Sequence, residues 1–285
     1  MISPAAQTKL LPMKDLSLGM FDSGVGGLTV LKEVRKLLPH EHIIYLGDTA
    51  RVPYGNRSAE TVTRYSLENT RFLLEKGIKM LIVACNTSSA IALSALKRRL
   101  SIPVVGVIEP PAREAVKRTR KKKIGVIGTR ATIGSQAYVK AIRKLDPSVE
   151  VISQACPLFV PVVEEGLEED EVAGLVVEKY LREMRDSAID VLVMGCTHYP
   201  ILEPRIRELL GDDVYIVNSG RETAHEVQRM LQIYGFHKNS GKGRSDYFVT
   251  DAPDKLSDLG GRVLGEPLKR VKLVRLESPL SPSPT

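Results

Sequence analysis

One stretch occurs twice in this chain, and the repetition constrains the fold more than any other feature. Ile78-Lys79-Met80-Leu81-Ile82-Val83-Ala84-Cys85-Asn86-Thr87-Ser88 is an apolar run of β-formers that stops at Cys-Asn-Thr and gives way to a helical pattern. Ile189-Asp190-Val191-Leu192-Val193-Met194-Gly195-Cys196-Thr197-His198 repeats it, with the Cys seven residues after the first Ile in both copies. Apolar runs bounded in this way read as buried parallel strands. Each thiol then lies just past the carboxyl end of its strand, at the mouth of the next helix. Open α/β sheets bind ligands at that edge, and a helix N-terminus there favours thiolate over thiol.

The surrounding pattern is duplicated as well. Strands at Gly19–Phe21, His42–Leu46, Cys85 and Val104–Ile108 alternate with helices, one from Leu28 to near Pro39, one from Ser58 to Lys76 and one from Cys85 to about Leu100. The order restarts with strands at Ile124–Ile127, Val149–Ala155, Cys196 and Val214–Val217, with a helix from Pro200 to Gly211. The fourth strands end 24 and 22 residues after their cysteines, at Glu109 and Asn218. Alternation of this kind predicts an α/β protein with parallel sheets covered on both faces. The expected division is a loose leader over 1–15, a first α/β domain of 16–109 plus 222–276 carrying Cys85, a second of 110–221 carrying Cys196, and a disordered Ser/Pro tail over 277–285. In the segment from Glu222 the pattern predicts one helix, to Tyr234, and one strand, Tyr247–Thr250, packed back on the first half.

A chain of 285 residues, 43% hydrophobic, can bury a substantial core. No apolar run is long enough to cross a membrane, and the N-terminus lacks the form of a signal peptide, so cytoplasmic residence is the expectation. Three cysteines do not make a disulfide framework. The net charge of +7 favours anionic ligands. Its densest cluster, Lys117-Arg118-Thr119-Arg120-Lys121-Lys122-Lys123, falls where a helix ends, a favourable place for cations. Without interleaved aromatics or a reading motif, a nucleic-acid partner is not expected.

Asp22-Ser23-Gly24-Val25-Gly26-Gly27 joins a strand to a helix but matches neither a dinucleotide fingerprint nor a P-loop. It reads as a tight turn whose backbone N–H groups can approach a carboxylate. Taken singly, Cys85 and Cys196 read as small buried hydrophobes. Polar Asn86-Thr87-Ser88 after one and Thr197-His198-Tyr199 after the other place both near solvent or ligand, and His198 is a possible proton partner. Cys-x-His lacks structural zinc spacing, so no metal is expected. Cys156, among Ala155, Pro157, Leu158 and Phe159, belongs to neither copy. Two symmetry-related thiols point to a reaction at both faces of one carbon. In racemisation one thiolate removes an α-proton and the opposite thiol delivers another. No cofactor motif is present, which fits a cofactor-free route.

Phe21-Asp22-Ser23-Gly24-Val25-Gly26-Gly27-Leu28, Pro53-Tyr54-Gly55, Ala84-Cys85-Asn86-Thr87 and Gly195-Cys196-Thr197-His198-Tyr199-Pro200 together resemble the glutamate racemases, over roughly 17–255 and in the right order. The resemblance implies two similar doubly wound α/β domains related by a pseudo-twofold axis, with the active site in the cleft between them. It implies cofactor-independent interconversion of L- and D-glutamate, supply of D-glutamate for bacterial peptidoglycan, and a homodimer. By motif, Cys85 would act on the α-proton of D-glutamate with help from Asp22. Cys196 would act on that of L-glutamate with help from His198 and Glu164, although a one-residue shift exchanges Glu164 with Glu165. Asp22, Ser23, Tyr54, Gly55, Asn86, Thr87, Thr197 and His198 would hold the substrate, with Thr129 and Thr132 as further carboxylate contacts. An aspartate racemase and a catalytically silent binding protein are the competing readings. The loop from Asp22 to Leu28 and the Thr197-His198 pair favour glutamate, and the presence of both thiols argues against silence.

Overall fold

The computed structural model describes residues 12–268 and 270–276. The expectations for most of the leader and for the tail 277–285 lie outside these residues. Of the leader, Met13–Asp15 forms one 3-10 turn, and the Lys14 carbonyl accepts a hydrogen bond from the buried Lys79.

The first repeat runs β1 (Ser17–Asp22), α1 (Leu28–Leu37), β2 (His42–Gly47), α2 (Ala59–Glu75), β3 (Ile78–Val83), α3 (Asn86–Ile91), α4 (Leu93–Arg99) and β4 (Val104–Gly106). The second runs α5 (Glu109–Arg118), β5 (Lys123–Gly128), α6 (Arg130–Gly134), α7 (Ala137–Leu145), β6 (Glu150–Ala155), α8 (Phe159–Glu164), α9 (Glu171–Asp186), β7 (Val191–Gly195), α10 (Glu203–Leu210) and β8 (Tyr215–Val217). Then come α11 (Ser219–Ile233), β9 (Arg244–Val249), α12 (Pro253–Leu264) and β10 (Val271–Leu273).

All strands pair in parallel, in two sheets ordered β10-β9-β2-β1-β3-β4 and β6-β5-β7-β8. The second sheet repeats the order β2-β1-β3-β4 of the first, the duplication read from the two cysteine runs. β1, β3 and β7 are buried along their whole length, as their near-continuous apolar runs require. Each run carries one charge at the equivalent place, and each is satisfied where its strand begins. Lys79 Nζ lies 2.6 Å from Glu41 and donates to the carbonyls of Lys14 and Phe236. Asp190 accepts from the Thr119 hydroxyl and from the N–H groups of Arg120 and Lys121, which pins the basic run after α5.

Several boundaries differ from the sequence reading, for identifiable reasons. The strand at 104 stops at Gly106, because the Val107 N–H bonds Ser89 Oγ and the Val107 carbonyl accepts from Tyr138. The helix after Cys85 is two helices that meet at Ala92 (φ −101°, ψ −18°). Tyr199–Leu202 stays a 3-10 turn before α10, since Pro204 has no N–H to bond Pro200. α11 begins three residues before Glu222, where the Asn218 side chain caps it by accepting from the Arg221 N–H. The largest difference lies in the C-terminal segment, which adds α12 and β10 to the predicted helix and strand. Gly260 and Gly261 hide α12 from a propensity reading. Yet Leu256, Leu259 and Val263 bury one face, and Gly260 lets Leu28 and Leu268 approach its backbone. Among the described residues no helix is long and apolar enough to cross a membrane.

Candidate active site

Both thiols sit where the strand order turns. Cys85 follows β3 and Cys196 follows β7, each beside the first strand of its own repeat, with Phe21 paired to Val83 and Gly128 to Gly195. This is the topological switch point at which open α/β sheets bind ligands. The ends of the two sheets face each other across one cavity. Its walls are Ser23, the Val52–Gly55 loop, Cys85–Thr87, Thr129, Val160 and Cys196–His198.

Contacts that cross between the repeats frame this cavity. Thr87 Oγ1 lies 3.0 Å from Thr129 and 3.3 Å from Thr132. Tyr138 donates to Asn86 Oδ1 at 2.7 Å, and Thr29 to the Thr197 carbonyl at 2.8 Å. Two glycines permit the close approach. A Cβ on Gly26 would come within 2.4 Å of His198 Nδ1 and Thr197 Oγ1, and one on Gly55 within 2.7 Å of Thr129. The cavity itself is about 30 Å³, room for about one water. An adjoining cavity of about 310 Å³ shares Val52, Pro53, Gly55, Thr129 and Val160 with it and adds Glu164 and Glu165.

A model of the Asp/Glu/Hydantoin racemase family matches residues 28–227. The chain belongs to this family. It is 54% identical to a glutamate racemase of Geobacter metallireducens, over 92% of this chain and 97% of the relative. The glutamate racemase isoform RacE1 of Bacillus anthracis superposes with a TM-score of 0.90 at 44% identity, covering 92% and 98% of the two chains. The Francisella tularensis glutamate racemase in complex with D-glutamate gives 0.87 at 35% identity, covering 93% and 99%.

The electrostatics of this racemase differ at its two thiols. Cys85 is the N-cap of α3 and accepts from the Ser88 N–H at 3.5 Å. Even so, burial outweighs the helix end: it pushes the thiol up to about 11, and the Asp22 carboxylate adds to the rise. Asp22 is itself fully buried, and that burial raises its pKa against the opposing charge of His198 and the N–H groups of Gly27, Gly24 and Ser23. At the other thiol, Cys196 Sγ lies 3.9 Å from His198 Nδ1, and His198 Nε2 lies 3.2 Å from Glu164 Oε1. Burial works against a charged imidazole, but its hydrogen bonds to Cys196 and Glu164 win and lift it to about 10. Glu164 is held down to about 2: His198 and Lys255 outweigh its burial. The structure thus puts Glu164 against His198, while Glu165 is exposed.

Of the residues singled out in the sequence, Asp22 and Thr132 lie just behind the wall, the former bonded by Thr197 at 3.5 Å and the latter by Thr87. Tyr54 lines the cavity, but its hydroxyl is committed elsewhere: it donates to Asp48 and accepts from Asn69 Nδ2. Cys156 is buried in the core cluster that also holds Cys196, and its carbonyl accepts from the Tyr199 hydroxyl, but it does not line the cavity. Sequence reasoning missed the group behind the Val52–Gly55 loop. Arg51 binds Asp48 through Nε and reaches Glu68 and Asn69 on α2, and Thr250 donates to Asp48 at 2.9 Å. It also missed Lys255, 2.9 Å from Glu164 Oε2. Gly47-Asp48-Thr49 at a strand end was a usable signal for the first; nothing in the local sequence marks the second.

Proposed function

We propose that this racemase interconverts L- and D-glutamate by passing the α-proton between Cys85 and Cys196, without a cofactor. One observation carries the reading: two thiols, each beyond the third strand of its own repeat, line a single cavity. The relatives that bear the name glutamate racemase support the substrate, as does the one bound to D-glutamate.

In the L-to-D direction the Cys196 thiolate takes the α-proton from one face, and Cys85 gives its proton to the other. The reverse reaction exchanges the roles. His198, 3.9 Å from the Cys196 sulfur and held by Glu164, is the proton partner on that side. Asp22, behind Cys85, is the proton partner on the other side. The cavity wall has neither Lys nor Arg, so apart from His198 neutral donors hold the carboxylates. Asn86 Nδ2 is buried with no hydrogen-bond partner among the described residues, a donor that a carboxylate would satisfy. The Thr87, Thr129, Thr132 and Thr197 hydroxyls and the backbone of Ser23 and Gly55 complete the set. Fixed donors in so small a cavity stabilise charge that develops at the α-carbon without first reorganising.

The same reading carries further expectations. D-glutamate would feed peptidoglycan synthesis in the cytoplasm, and rescue of a D-glutamate auxotroph tests this. Residues 16–109 with 222–276, and 110–221, would act as the two halves of the cleft. The chain would work as a homodimer, which light scattering of the pure protein decides.

The direct test follows optical rotation in D₂O with L-glutamate and, separately, L-aspartate. Loss of rotation for glutamate alone, with deuterium at Cα, is the expected result. Loss for aspartate alone would move the assignment to that substrate, and no exchange with either in folded, reduced protein would end it.

A further inference from the structure

On this reading Cys85 is a thiolate for part of every turnover, yet its burial and the Asp22 carboxylate both oppose that charge. Something has to stabilise the anion. Ser23 Oγ lies 3.6 Å from the sulfur and the Ser88 N–H donates to it at 3.5 Å. A further donor stands on the same turn: Ser88, whose N–H already bonds the sulfur, also carries a hydroxyl.

Ser88 differs from the other hydroxyls around it. Thr87, Thr129 and Thr132 bond one another, and Ser89 is committed between the Val83 carbonyl and the Val107 N–H. Ser88 Oγ is fully buried and has no hydrogen-bond partner among the described residues. A buried hydroxyl without a partner is a standing cost. Its place on α3 explains where it can find one. Cys85 is the N-cap and Ser88 the third helical residue, so its backbone bonds the cap while its side chain can turn back over it.

We propose that Ser88 is a further catalytic residue, whose hydroxyl and N–H together stabilise the Cys85 thiolate. The proposal rests on the assignment of Cys85 as a base. As the anion forms, the hydroxyl rotates, keeps its own proton and donates a hydrogen bond to the sulfur. When the thiolate takes the α-proton, the Cα–H bond breaks, the S–H bond forms and the Ser88 hydrogen bond weakens.

The test uses the full chain with Ser88→Ala and Ser88→Thr. Alkylation of Cys85 by iodoacetamide is followed against pH by peptide mass spectrometry, with Cys196 as internal control. Ser88→Ala should move the Cys85 profile to higher pH and slow its alkylation below the pKa by about three- to tenfold. kcat/KM for glutamate should fall by a similar factor, equally in both directions, because enantiomers have equal free energy. The Cys196 profile and the unfolding midpoint should stay near wild type, and Ser88→Thr should restore the Cys85 profile. A Ser88→Ala profile that superimposes on wild type, or an equal shift at both cysteines, overturns the proposal. A wild-type protein that does not racemise glutamate would instead sink the functional reading, and the alkylation profile would still decide Ser88.

Discussion

A weakly acidic α-proton leaves only when a base and an acid of matched strength face it, so single atoms decide whether this site works. Cys85→Ser and Cys196→Ser each replace a titrating sulfur by a hydroxyl that does not ionise near neutral pH. Each should lower turnover of glutamate by about 10²–10⁴-fold; wild-type turnover in either variant would break the two-base assignment. Gly26→Ala tests position rather than chemistry. Its Cβ needs space held by His198 and Thr197 at 2.4 Å, so activity should drop more than tenfold while circular dichroism stays unchanged. His198 also links the site to stability. Its folded pKa of about 10 stands above the ordinary 6.5, so its contribution is complete below 6.5 and is lost as pH rises through 10. Denaturant melts should therefore show stability falling over that window. In His198→Asn the slope should flatten, and an unchanged slope would mean that the imidazole is not held charged.

At the scale of elements, the loop that forms one wall of the cavity is fixed from behind. Asp48 and Glu68 are almost fully buried and both lean on Arg51, whose side chain is 20% exposed. Removal of one partner from such a group leaves uncompensated buried charge. Arg51→Met should therefore cost about 3 kcal/mol in urea melts, and a loss under half of that would show the carboxylates to be solvated. Little of this was legible beforehand. The parallel strands could be read because β3 and β7 are continuous apolar runs, and the ends of α2 because Ser58 caps it and Gly77, at φ +74°, stops it. The site residues at strand ends followed from the same runs. Arg51 and Glu68 lie in different elements, and only the fold brings them together. α12 escaped because Gly260 and Gly261 lower its helix propensity, while Gly260 serves packing. The bonds of the Tyr54 hydroxyl to Asp48 and Asn69 could not be read because sequence does not show which way a side chain turns.

At the scale of the whole molecule, the governing quantity is the size of the cavity. About 30 Å³ does not admit an amino acid, so some of the residues that wall it have to move apart when substrate enters. α12 bridges the two repeats beside that cavity. It packs against α1 of the first repeat through Leu256, Leu259 and Gly260. Its charged face meets the second repeat, with Lys255 on Glu164 and Arg262 on Glu168. Both cations are partly exposed, and such pairs are each worth about 0–1 kcal/mol. Bonds this weak hold a closed state without locking it. Arg262→Ala leaves Glu164 and both thiols' partners in place, so it isolates the mechanical contribution from the chemical one. It should raise the alkylation rates of Cys85 and Cys196 together, by about two- to fivefold, with no shift of either pH profile and no change in unfolding midpoint. Lys255→Ala added to it should raise them further. Equal rates in wild type and both variants would mean that the contacts between α12 and the second repeat do not limit opening, and would direct attention to the threonine and Tyr138 bonds that cross the cleft.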